Sequence, residues 1–172
     1  MTKRIILIIT CLLVLVALVF IPSNDVRKDR IRVKIYPTKD KTSPTGVYIP
    51  KDLEECFREL ETMLPPSLIM RIKLGPEGNM IKYHHGLGMW IRNYWGLWQG
   101  SRLATYFNDL GIFHPDDMSG IILDSFWRHL NDSPTKLQEQ IELYKRYWDI
   151  INKQIEGYQI NRLLHRKERL VS

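Results

Sequence analysis

The stretch Leu53-Glu-Glu-Cys-Phe-Arg-Glu-Leu-Glu-Thr-Met-Leu64 carries apolar residues at 53, 56, 57, 60, 63 and 64. That is the three-and-four spacing of a helix with one buried face. Pro50 suits a first helical position, Asp52, Glu54 and Glu55 lie near the positive end of the helix dipole, and Pro65-Pro66 ends the run. The same logic repeats downstream. Ser67 is placed to cap a short helix reaching Lys73 and the Gly75-Pro76 turn. A third helix is expected from Glu77 or Asn79, carrying Met80, Tyr83, His84, Leu87, Ile91, Tyr94 and Trp95. Gly86 and Gly88 inside it each cost roughly 1 kcal/mol relative to Ala, so another element should cross closely there. Ser101 caps a fourth helix presenting Leu103, Tyr106, Phe107 and Leu110, closed by Gly111 in the left-handed conformation. Pro115-Asp116-Asp117 opens a fifth, with Met118, Ile121, Ile122, Ser125, Phe126 and Leu130 on one face. The fold class predicted is mainly α.

Ser133-Pro134 reads as a cap and a first helical proline, followed by a stripe through Leu137, Ile141, Tyr144, Trp148, Ile151, Ile155 and Tyr158. The alternation of four and three is heptad periodicity. A helix from Pro134 to His165 would be about 48 Å long against a domain breadth of roughly 30 Å, so its far end must project. A weak homodimer through this last helix is one expectation, limited by Gly157, Asn161 and Arg162 along the seam.

Upstream, Ile5 to Ile21 is apolar except for Thr10 and holds no charge. A retained single-pass transmembrane helix is expected over residues 5–22, with membrane lipid as its partner. A cleaved secretory signal is disfavoured because the apolar run is long and exits through Val19-Phe20-Ile21-Pro22-Ser23 without a small-x-small site. Lys and Arg flank both ends, which leaves the side of the soluble domain open. Residues 31–36 alternate apolar and basic, an exposed strand or extended tether, and Pro37 to Gly46 reads as a mobile linker. The predicted layout is therefore a flank (1–4), an anchor (5–22), a basic juxtamembrane segment and linker (23–45), a small helical domain (46–132), and a long C-terminal helix with a basic tail (133–172). The net charge of +6 is uneven: residues 1–45 hold nine Lys or Arg against three Asp, residues 46–161 hold twelve against fifteen Asp or Glu, and residues 162–172 hold four against one. Basicity beside the membrane and at the tail points to anionic headgroups and away from nucleic acid. Cys56 is the lone thiol outside the apolar segment, so no disulfide joins two parts of the domain.

The run His84-His-Gly-Leu-Gly-Met-Trp-Ile-Arg-Asn-Tyr-Trp-Gly-Leu-Trp98 is followed by Ser101-Arg-Leu103, Tyr106-Phe107, His114-Pro-Asp-Asp-Met-Ser119 and Trp127-Arg-His-Leu130. With these elements the segment from about Ile49 to Asn131 resembles a bacterial domain family of unknown function. The resemblance implies no reaction, ligand, cofactor or partner.

Trp90, Arg92, Asn93, Trp95, Trp98 and Arg102 form the candidate binding set, because Trp and Arg dominate protein-binding hot spots. The bland alternative is that the tryptophans fill the core and the arginines pair with Asp109, Asp116 or Asp117. His84, His85, His114, Asp116, Asp117 and His129 form the alternative set, for a hydrolase or metal-dependent enzyme. Their spacing matches no metal motif, and Asp116 and Asp117 have a simpler duty as first-turn acids. Neither Ser101 nor Ser119 lies in a nucleophile turn, and Cys56 sits on an apolar stripe. The leading expectation is a membrane-tethered, non-catalytic module with an unidentified protein partner, no cofactor and no metal.

Overall fold

The structure, a computed structural model, describes residues 34–171. The predicted anchor over residues 5–22 and most of the juxtamembrane segment lie outside them. Among the described residues no helix is long and apolar enough to cross a membrane.

The described chain is mainly helical. Helices α1 (Leu53–Met63) and α2 (Pro66–Lys73) lead into α3 (residues 77–94), α4 (Arg102–Asp109), α5 (Pro115–Leu130) and α6 (Leu137–Val171). At the centre stands α5, whose Ile121, Ile122, Leu123 and Phe126 are all almost fully enclosed. It touches α1, α2, α3, α4 and the start of α6. The stripe read from α1 is the one buried, with Cys56, Leu60 and Met63 wholly inside and Phe57 packed 6.3 Å from the ring of Phe126.

Several expected helix ends move. Asp52, not Pro50, sets the start of α1, its carboxylate accepting the Glu55 N–H at 2.8 Å. Pro65 and not Ser67 precedes α2, which has no side-chain cap. The start of α6 shifts from Pro134 to Leu137 because Asp132 and Lys136 adopt φ of 52° and 51°, turning the chain twice before the helix begins. Ser101 and Gly111 take their expected roles, the latter at φ 83°.

Instead of one uniform helix, α3 passes from a 3-10 turn (Glu77–Met80) through Ile81–Tyr83 and a π-turn (His84–Gly88) to an α segment (Met89–Tyr94). The wider π winding falls on the two glycines, and such turns recur at functional sites. The close crossing expected there occurs at Gly88, where a β-carbon would lie 3.3 Å from Leu123 Cδ1 on α5 and 3.2 Å from the Arg92 guanidinium. Gly86 faces open space.

The linker expectation is corrected over residues 36–48. Tyr36 donates its N–H to Met63 O at 2.9 Å, Lys39 and Val47 form an antiparallel bridge, and Thr45 Oγ1 donates to Tyr94 O at 2.6 Å. The cause is Glu59, a nearly buried acid on α1, whose carboxylate accepts both the N–H and the hydroxyl of Thr38 at 2.8 and 2.9 Å. A buried carboxylate needs such donors, and the loop supplies them. Limited proteolysis is accordingly expected to leave residues 36–48 intact as long as the helices; early cleavage between Thr38 and Gly46 would contradict the docking.

Candidate functional site

The loop after α4 carries Gly111, Ile112 and Phe113 into His114, the residue before α5. His114 Nδ1 accepts the Asp116 N–H at 3.2 Å, so an imidazole does the capping a Ser or Asp does elsewhere. Against this corner lies the first half of α6. Between them opens a cleft of about 530 Å³, whose lining includes Phe113, His114, Asp117, Tyr144, Lys145 and Trp148. Trp148 fixes one wall by donating its indole N–H to Asp117 at 2.6 Å. His114 stands between two indoles, 5.5 Å from Trp148 and 5.9 Å edge-on from Trp98. Phe113, 74% exposed, and Trp98, 53% exposed, present apolar surface near this mouth. Few, oriented polar groups in an apolar concavity are the usual composition of a binding cleft.

Behind α5 a second cleft of about 320 Å³ shares Asp117 and Tyr144 with the first and is lined also by Ile81, His84, Asp116 and Asp124. Burial raises the pKa of Asp117 against the opposing effect of the Trp148 hydrogen bond. Burial likewise raises Asp124. It pushes the Tyr144 phenol up to about 12, with Asp117 and Asp124 adding to the effect. Beside this cleft Asp116 pairs with Arg92 Nε at 3.0 Å and lies 3.4 Å from His84 Nε2, while His114 Nδ1, which accepts the Asp116 N–H, is 3.6 Å from its carboxylate. Arg92 also donates to Ser119 Oγ at 2.8 Å, and that hydroxyl donates to Asp116 O.

Residues 49–130 match the family model described as Domain of unknown function (DUF6794). The matched segment agrees with the resemblance to an uncharacterised domain family at nearly the same limits. It runs from just before α1 to the end of α5 and contains the Asp116 cluster and the 111–117 wall of the larger cleft. The α6 wall lies outside it. No curated protein and no solved structure matches the chain.

The candidate binding set divides. Trp95 is fully buried and Arg92 nearly so, which places them in the interior. Trp90 is partly buried and stacks on Tyr94 at 4.9 Å, while Asn93 is exposed. Arg102 lies on another side, its Nε donating to Ile49 O at 2.6 Å and its guanidinium 4.9 Å from the Tyr48 ring. Of the six, Trp98 packs against a residue lining the larger cleft. The alternative set divides too. His84, His114, Asp116 and Asp117 come together at the start of α5, and exposed His85 packs edge-on against His84. His129 is elsewhere, bonded to Glu61 at 3.1 Å and stacked on Phe57. Among the described residues no three His, Cys, Asp or Glu are arranged to hold a metal ion. Ser119 is fully enclosed, and burial pushes the Cys56 thiol well up, so neither presents an accessible nucleophile.

The sequence reading missed Phe113 and Lys145, and it assigned Tyr144 and Trp148 only to a helix stripe. Phe113 carried a usable signal. It is a large apolar residue outside any helical period, two positions after a turn glycine and two before a helix-opening proline.

Proposed function

We propose that the protein is a single-pass membrane protein whose helical domain is a non-catalytic protein-interaction module, with the cleft between His114 and α6 as its docking place for an apolar side chain of the partner. The run from Ile5 to Ile21, free of charge and apolar except for Thr10, supports the anchor. One observation carries the docking role: the cleft is open, mostly apolar, and has Phe113 left facing solvent at its edge. An exposed Phe beside a concave aromatic wall resembles the unpartnered centre of an interface.

Replacement of Phe113 by a photo-activatable phenylalanine in the chain's own membrane is expected to yield a discrete crosslinked product. The same replacement at exposed Thr62, on α1, should not yield it, and adding Trp148→Ala should remove it. Equal labelling at Phe113 and Thr62 would overturn the docking role.

A further inference from the structure

The stripe along α6 leaves the domain part-way. Ile141 is 2% exposed, whereas Ile155 is 49% and Tyr158 71% exposed. Beyond the domain a shallow groove runs between Ile151, Gln154, Ile155, Tyr158 and Arg162. Ile150 and Ile160 are open to solvent on other faces of the same helix. Charge changes along the same helix. Up to Glu156 the helix carries four acidic and three basic residues, but from residue 157 onward Arg162, Arg166, Lys167 and Arg169 stand against a lone Glu168. At a helical advance of about 100° per residue, positions 162, 166 and 169 fall on the side of 151, 155 and 158. An apolar patch is thus continued by a row of cations.

We infer that the distal part of α6, from Ile151 to its end, lies along the surface of an anionic bilayer. Insertion of Ile155 and Tyr158 at the headgroup boundary would cover the exposed apolar face, and the arginines would meet lipid phosphates. A second copy of the chain fits less well. Parallel pairing would stack positions 162, 166 and 169 on their own counterparts. Antiparallel pairing centred on Ile155 would need Tyr144 and Trp148, whose side already meets α5 through Gly120 and Asp117. The inference rests on the tethered reading for its proximity to lipid.

The test uses the full chain carrying Cys11→Ser and Tyr158→Cys, the new thiol bearing an environment-sensitive fluorophore while Cys56 stays buried. It is reconstituted into phosphatidylcholine vesicles with or without phosphatidylglycerol. Blue-shifted emission is expected only with the anionic lipid, reversed by high salt. Arg162→Gln, Arg166→Gln and Arg169→Gln together should reduce the lipid-bound to free ratio roughly a hundredfold, about fivefold per cation. A label at Ile155→Cys should report the same. Unchanged emission in both lipids overturns the inference. So does a shift that follows protein concentration rather than lipid charge, which would assign the face to a second copy. Flotation of neutral vesicles after alkaline washing reads the anchor separately. If the chain is stripped there, the tether fails, and anionic vesicles added from outside still decide the α6 contact.

Discussion

Trp95→Ala is expected to lower folding stability by about 3–5 kcal/mol, while Trp98→Ala, three residues on in the same Trp-rich motif, changes it by less than about 0.5 kcal/mol. Trp95 is 0% exposed and meets Trp90 edge-on at 6.0 Å. Its removal leaves a cavity that the helices around it can only partly close. No hydrogen bond is lost, because the indole nitrogen has no partner in the protein, so the loss is one of packing. Trp95→Phe should therefore restore much of it. Trp98 is 53% exposed and contributes an edge contact to His114. Against a domain stability of about 5–15 kcal/mol, the first substitution removes a large share and the second is hardly visible. Urea unfolding of the two variants, followed by far-ultraviolet circular dichroism, reads the difference. Similar midpoints for both would mean that Trp95 is not the core residue its burial implies. The variant that leaves stability alone should be the one that affects docking, since Trp98 borders the cleft wall at His114.

The contrast marks where periodicity informs and where it stops. In α1, α4 and α5 the apolar spacing named the buried faces, because one stripe met one core and each helix kept a single winding. In α3 the stripe held at Met80, Tyr83, Leu87, Ile91 and Trp95 but failed at Tyr94, which is 45% exposed. The π-turn at His84–Gly88 changes the winding inside the helix, Arg92 beyond it is buried against α5, and Trp98, past the left-handed Gly96, turns outward. No local pattern announces a π-turn, although two glycines within a helix were a hint. The docked loop at 36–48 was illegible for a different reason. Its composition is that of a linker, and what holds it is Glu59, a long-range acceptor that looks on its own helix like another surface acid. The larger cleft was hidden in the same way, since its walls come from a loop and from a helix about thirty residues later. The Asp116 cluster is half visible in the sequence: Asp116 reads both as a first-turn acid and as a partner for arginine, and it serves as both.

That double duty makes Asp116→Ala the second large effect, an expected loss of about 2–3 kcal/mol. Removing one member of a fully buried ion pair costs about 3–5 kcal/mol because the other charge is left without compensation. Here the Arg92 side chain is 8% exposed but Asp116 is 40% exposed, so water can replace part of what is lost. The lower figure follows. Loss of a first-turn acid from α5 accounts for only about 0.3–1 kcal/mol of it, and Asp117 remains to interact with that helix end. Most of the effect should therefore lie in Arg92, which would retain the Ser119 hydroxyl but lose its carboxylate partner. The two contributions separate in a double-mutant cycle with Arg92→Met. Methionine keeps an unbranched apolar chain in the space and removes the charge, and replacing both members of a buried pair is far less costly than removing one. The double variant Asp116→Ala/Arg92→Met is thus expected to be about 1 kcal/mol more stable than Asp116→Ala alone, whereas Arg92→Met on its own is destabilising, a change of sign that no additive account produces. Chemical denaturation of the four proteins at one pH measures it. If the double variant is the less stable of the two, Arg92 is held by packing and the Ser119 bond alone, and the charge on Asp116 has no part in fixing α3 against α5.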